Sequence, residues 1–61
     1  MEDLRQYLGQ KCHIIPLKID GRIVEILINQ YGTQLHIRYI AEGMLFEEMF
    51  FLDEVKLYKD L

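Results

Sequence analysis

Runs of Ile, Leu and Val broken by glycine-bearing turns dominate the chain. Residues 12–19 and 22–29 are two such runs, and they flank Asp20-Gly21, the type of dipeptide that most strongly signals a two-residue hairpin turn. Gln34 to Ala41 follows, then Glu42-Gly43, then Met44 to Phe51, a tight Leu52-Asp53-Glu54 corner, and a short final run from Val55 to Tyr58. Glycines stand at 9, 21, 32 and 43, in steps of twelve, eleven and eleven residues, the regular turn spacing of a short-stranded all-β meander. Upstream, Leu4, Tyr7 and Leu8 recur at helical spacing behind two acids, with Gly9 placed for a left-handed stop. The pattern predicts a short amphipathic helix over 2–8 that is stable only if its apolar stripe is packed. A five-stranded antiparallel meander over 12–58 follows, so that residues 1–61 form one mainly β domain.

Register follows from face matching. An Asp20-Gly21 turn pairs Ile19 with Arg22, Leu17 with Val24 and Ile15 with Ile26. A Gln30–Thr33 loop closed by Asn29 and Gln34 pairs Ile28 with Leu35, Ile26 with Ile37 and Val24 with Tyr39. The same register sets Glu25 opposite Arg38, and the Glu42-Gly43 turn sets Arg38 opposite Glu47, an acid-base-acid ladder whose exposed pairs contribute about 0.2–1 kcal/mol each. That ladder face also carries Ile23, Leu27, Ile40, Leu45, Met49 and Phe51, with His36 beside Leu27 and Met49. The opposite face takes Phe46 and Phe50 but also Glu48. Because burying Glu48 unpaired is costly, a bulge near Glu47-Glu48 is expected to turn it outward and curl the strand. Two apolar faces require a second cover: the N-terminal helix, closure into a barrel, or another chain.

Composition narrows the chemistry. With 61 residues, 51% of them hydrophobic and 28% charged, the chain is too short for two cores, too apolar for disorder, and marginal in buried surface. It has no Ser and no Trp, and Thr33 is its one Thr, which removes serine triads and Ser-based phosphate loops. No glycine arrangement forms a nucleotide cradle. The longest uncharged stretch, Ile26 to Ile37, is too polar and too short to span a bilayer. A lone cysteine, Cys12, and the lack of a basic-plus-apolar leader point to the reducing cytoplasm.

The succession Gly21-Arg22-Ile23-Val24-Glu25-Ile26, Gly32-Thr33-Gln34-Leu35-His36-Ile37-Arg38-Tyr39, Gly43 and Phe50-Phe51-Leu52-Asp53-Glu54-Val55 resembles the small SH3-like or Tudor-like β-barrels, short versions of which are often encoded by phages and mobile elements. The resemblance covers about two-thirds of the chain, from Gly21 onward. It implies a meander curled into a small SH3-like barrel, a superfold that hosts RNA, DNA, peptide and methylated-side-chain binders. The tight Asp20-Gly21 turn and the lack of Trp depart from the peptide-groove and methyl-lysine-cage patterns.

Cys12, His13 and His36 are the only soft metal ligands, and neighbouring strand residues point to opposite faces, so Cys12 and His13 do not converge on one ion. No metal or other cofactor is expected. The acids Glu42, Glu47, Glu48, Asp53 and Glu54 offer paired carboxylates of the glycosidase kind, but a barrel this small has little volume for a cleft that desolvates them, so the chain is expected to be non-catalytic. Residues 42–54 hold five acids and no base. Nucleic-acid affinity rests on phosphate neutralisation, for which there is no basic stripe; stacking on Tyr31, Tyr39 or Tyr58 supplies the alternative of a nucleic-acid-binding barrel. The leading expectation is a protein-protein interaction or accessory module, of phage or prophage type and homo-oligomeric. Its expected interface is Ile23, Leu27, His36, Arg38, Ile40, Leu45, Glu47, Met49 and Phe51, toward a second copy or a host protein with a basic surface.

Overall fold

The structure, a computed structural model, describes residues 4–58. Five strands, β1 (Lys11–Ile14), β2 (Ile19–Asn29), β3 (Gly32–Ala41), β4 (Met44–Phe51) and β5 (Val55–Leu57), form one antiparallel sheet in the order β4-β3-β2-β1-β5. The sheet is open, with β4 and β5 as its two edges. Its mainly β character, the antiparallel pairing, the Met44–Phe51 strand and the Leu52–Glu54 corner, which is a one-turn 3-10 helix, agree with the sequence reading. No helix among the described residues is long and apolar enough to cross a membrane.

The N-terminal helix is shorter than expected: a 3-10 turn over Leu4–Tyr7, with the remainder of the predicted segment at its start, residues 2 and 3, outside the described residues. Tyr7 is buried and Leu4 packs on the core, while Leu8 is exposed. Gly9 takes the left-handed conformation (φ +78°) that ends the turn, and its N–H donates to the Ile23 carbonyl at 2.7 Å. Ile23 N–H donates in turn to the Gln10 carbonyl at 3.1 Å. The turn is thus tied to β2 by backbone as well as by packing.

The Asp20-Gly21 hairpin does not form. Both residues lie inside β2, His13 opposite Asp20 and Cys12 opposite Gly21, so the predicted Ile19–Arg22, Leu17–Val24 and Ile15–Ile26 pairs are absent. The chain reverses instead over Ile15, Pro16, Leu17 and Lys18, closed by Ile14 opposite Ile19. Pro16 has no N–H and a fixed φ, which suits a turn and not a strand interior. Lys18 adopts φ +56° and donates to the Ile14 carbonyl at 2.8 Å.

Gly21 serves the sheet differently. A Cβ there would lie 2.7 Å from Ile37 Cγ2 and 2.9 Å from the Arg38 carbonyl oxygen. Lacking one, β2 coils closely over β3, as glycine in a strand interior permits.

The second loop is shorter than predicted: Asn29 pairs with Gly32 around Gln30-Tyr31, the Asn29 side chain accepting from Tyr31 N–H at 2.8 Å. This slips β2 by two residues against β3, giving Glu25 opposite His36, Ile26 opposite Leu35 and Ile28 opposite Thr33. A slip of two keeps each side chain on its face. A β-bulge at Val24 then inverts the face, so that Ile23 pairs with Ile37 and is 1% exposed in the core, whereas Val24 is exposed. Ile23 is therefore a core residue and leaves the expected interface. The bulge expected at Glu47-Glu48 is absent, because β4 pairs with β3 without interruption from Ala41–Met44 to Gln34–Phe51. Glu48 stays on the core-side row opposite Ile37 and is exposed at the sheet rim.

Tyr7, Cys12, Ile14, Ile23, Leu35, Ile37, Tyr39, Phe50 and Val55 form the core. The Tyr39 ring stacks on Phe46 at 5.5 Å and tilts against Phe50 at 6.5 Å. Burial, and secondarily the Glu48 carboxylate hydrogen-bonded to it, push the Tyr39 phenol pKa up. Burial also raises the Cys12 thiol pKa, opposed by a backbone hydrogen bond at Gly21 and aided by the Asp20 charge.

Two outcomes follow for stability. Gly21→Ala is expected to destabilise by roughly 1–3 kcal/mol through overpacking against Ile37 and Arg38, read as a lowered midpoint in urea at unchanged slope. Cys12, 0% exposed, is expected to resist a thiol reagent in the native protein and to react once denaturant unfolds it; rapid native labelling would contradict its placement.

Candidate functional site

Alternation along β2, β3 and β4 assembles an outer face with four rows. Leu27, Gln34 and Phe51 form the first; Glu25, His36 and Met49 the second; Arg22, Arg38 and Glu47 the third; Ile40 and Leu45 the fourth. The structure thereby brings together Leu27, His36, Arg38, Ile40, Leu45, Glu47, Met49 and Phe51, while Ile23 lies on the core side. Val24, Arg22 and Glu25 complete the surface. Val24 joins it only through the bulge, which no turn residue announces.

The middle of the face is polar and internally compensated. Glu47 accepts from Arg38 Nε at 3.1 Å through Oε2 and meets His36 Nε2 at 3.0 Å through Oε1. Glu25 Oε1 stands 3.8 Å from the other His36 nitrogen. The expected Glu25–Arg38–Glu47 ladder is replaced by Glu25–His36–Glu47–Arg38, because the two-residue slip sets His36, and not Arg38, opposite Glu25. Arg22 and Arg38 lie directly opposite each other, a like-charge neighbour pair that is unfavourable unless compensated. Arg38 turns to Glu47, and Arg22 donates to the Gly9 carbonyl at 2.9 Å.

Apolar side chains flank this strip on both sides. Ile40 is 65%, Leu45 59% and Phe51 46% exposed, and Val24, Leu27 and Met49 are also exposed. A shallow groove of about 380 Å³ bordered by Arg22, Arg38, Ile40 and Leu45 opens onto the same end of the face. Leu27, Met49 and Phe51 gather at one end of the face and Ile40 and Leu45 at the other, two exposed apolar patches on either side of the charged row, and clustered apolar exposure marks interaction surfaces more than single exposed residues do.

A second cluster lies where β1 meets β2. Asp20 binds His13 Nδ1 at 2.9 Å, accepts from the Tyr58 hydroxyl at 3.2 Å and pairs with Lys11 Nζ at 3.5 Å. The His13 hydrogen bond above all, with Tyr58 and Lys11, holds the Asp20 carboxyl below its usual range against a smaller opposing effect of burial. Burial and the Asp20 charge raise the Tyr58 phenol.

Of the possible metal ligands, Cys12 faces the core, His13 the Asp20 cluster and His36 the outer face of β3. Among the described residues, no three His, Cys, Asp or Glu side chains converge on a metal position. The five acids of 42–54 do not act as one set: Glu47 is ion-paired, Glu48 holds Tyr39, and Glu54 Oε1 accepts from Phe51 N–H at 3.0 Å. Comparison with known proteins finds no matching family model, no similar curated protein and no similar solved structure.

The Asp20 cluster gives a pH test. A carboxyl whose folded pKa lies below the unfolded 3.8 contributes stability fully present above that value and lost as pH falls through the folded one. Asp20→Asn is expected to lower the melting temperature at neutral pH, with the difference from wild type closing in strong acid. A constant difference across pH would show that the carboxylate charge is not what stabilises the cluster.

Proposed function

We infer that the protein is a non-catalytic protein-protein interaction module that self-associates through the outer face of β2, β3 and β4. The observation that carries this reading is the pair of exposed apolar patches, with Val24, Leu27, Ile40, Leu45, Met49 and Phe51 among their side chains, around an ion-paired strip. Full burial of such side chains contributes about 1.5–3 kcal/mol each, enough between them to offset the cost of association. Charge selects the occupant. Glu25 and Glu47 balance Arg22 and Arg38 on this face, so two copies meet without net repulsion although the chain carries −3 overall. His36 and Arg38, tied to Glu47, fix the geometry of the strip.

The module is read as a small SH3-like barrel of the kind that phages and mobile elements encode, acting in the cytoplasm. Support comes from the adjacent first and last strands, the long shared β2 and the 3-10 turn before β5. The lone, fully buried thiol suits a reducing compartment. A nucleic-acid-binding role is the weaker reading, since Arg38 and Lys11 are paired to carboxylates and Arg22 to a carbonyl, leaving less charge for phosphate.

Light scattering coupled to size exclusion is expected to give a dimer or larger species at micromolar concentration. Ile40→Glu and Leu45→Glu are each expected to yield a monomer of unchanged strand content by circular dichroism, because both side chains are more than half exposed in a single copy. A wild-type monomer at that concentration, or variants that simply unfold, would remove the reading.

A further inference from the structure

The two edges of the sheet differ in kind. β5 is three residues long, and shortness is itself edge protection. β4 has eight residues, pairs on one side only, and contains no Pro, no Lys and no bulge. Glu42 (φ +54°) and Gly43 (φ +74°) are both left-handed, which defines the two-residue hairpin turn whose flanking residues, Ala41 and Met44, form a hydrogen-bonded pair. By alternation Met44, Phe46, Glu48 and Phe50 bond to β3, and the N–H and C=O groups of Leu45, Glu47 and Met49 point away from the sheet. Phe51 N–H points the same way, and it is taken by Glu54. An open run from Leu45 to Met49 is left, stopped at its far end by a carboxylate.

Charge says what fits that run. Of the five acids in residues 42–54, Glu47 is ion-paired within the chain to Arg38 and His36, while Glu48, exposed at the rim, is hydrogen-bonded to the neutral Tyr39 hydroxyl. Pairing β4 with the β4 of a second copy, faces matched, has two registers of longest overlap: one sets Glu47 against Glu47, the other Glu48 against Glu48. Like charges directly opposite are unfavourable. We propose that the β4 edge is a strand-acceptor site for an extended basic segment of a partner protein, whose backbone pairs with Leu45, Glu47 and Met49 and whose Lys or Arg side chains lie beside Glu48. This is recognition by strand addition, main-chain bonds giving affinity and alternate side chains giving specificity. The site goes beyond outer-face self-association and is separable from it, since it uses the rim of the sheet and not its face.

The test titrates the isotope-labelled full chain with a short peptide of alternating lysine and valine, and with its glutamate-valine counterpart, following amide hydrogen exchange. The basic peptide is expected to bind and to protect the Leu45, Glu47 and Met49 amides, leaving Met44, Phe46 and Glu48 unchanged. The acidic peptide is expected to bind at least roughly tenfold more weakly. Glu48→Lys should weaken the basic peptide by a similar factor, and Met49→Pro, which removes an outward donor, should abolish binding. If Met49→Pro unfolds, the exchange pattern of the wild type decides alone. Equal binding of both peptides, binding without protection of those three amides, or their protection by raised protein concentration alone would overturn the proposal. Ile40→Glu should leave peptide binding intact, so failure of self-association and failure of this site are distinguishable.

Discussion

One strand has to serve two neighbours that face different ways. β2 pairs with β1 through Ile19–Arg22 and with β3 through Arg22–Asn29, so a single residue, Arg22, belongs to both ladders. The strand can do this only by coiling, and two local features allow it: the missing Cβ at Gly21 and the extra residue at Val24. Bulges of this kind increase twist and re-aim the side chains that follow. Without them Ile23 would point outward and Val24 inward, and the core formed by Ile14, Ile23, Leu35 and Ile37 would lose its centre.

The composition of the outer face depends on the same coil. With Ile23 withdrawn into the core, the surface around Leu27, Met49 and Phe51 is smaller than face matching alone suggests, and its centre is a strip of paired charges. Burial inside one copy and exposure on the opposite side are thus consequences of one backbone irregularity. The polar strip costs little in isolation, because exposed pairs contribute weakly. Its value is in spacing the apolar groups into two patches with a defined register between them.

How much of this was legible can be judged from particular residues. β4 and the Glu42-Gly43 turn were, because an uninterrupted run ends there in a dipeptide whose two left-handed residues leave no other geometry. Gly9 was legible for the same reason. Asp20-Gly21 misled because a glycine needed for close approach has the same letter as one needed for a turn, and nothing local separates the two. Pro16 held the correction, since its ring excludes the strand interior it was assigned to. The loop after Asn29 is expected to hold four residues, Gln30–Thr33, and holds two, because the Asn29 side chain, closing the turn on Tyr31, does what extra backbone would otherwise do. The His36–Glu47 contact is a diagonal neighbour relation that the Glu42-Gly43 register already places within reach, whereas the Glu25–His36 pairing appears only once the loop after Asn29 is two residues long. The bulge at Val24 has no compositional mark, being selected by the packing of Ile23 against Ile37.

The unlike ends of the sheet carry one more implication. Fibre growth by edge pairing needs every unit to offer both a socket and a plug, and here the strand at the opposite edge is three residues long among the described residues. Such a molecule accepts without passing anything on. Polymerisation along the rim is therefore cut off at the first addition, and an oily ribbon can stay discrete in a crowded solution.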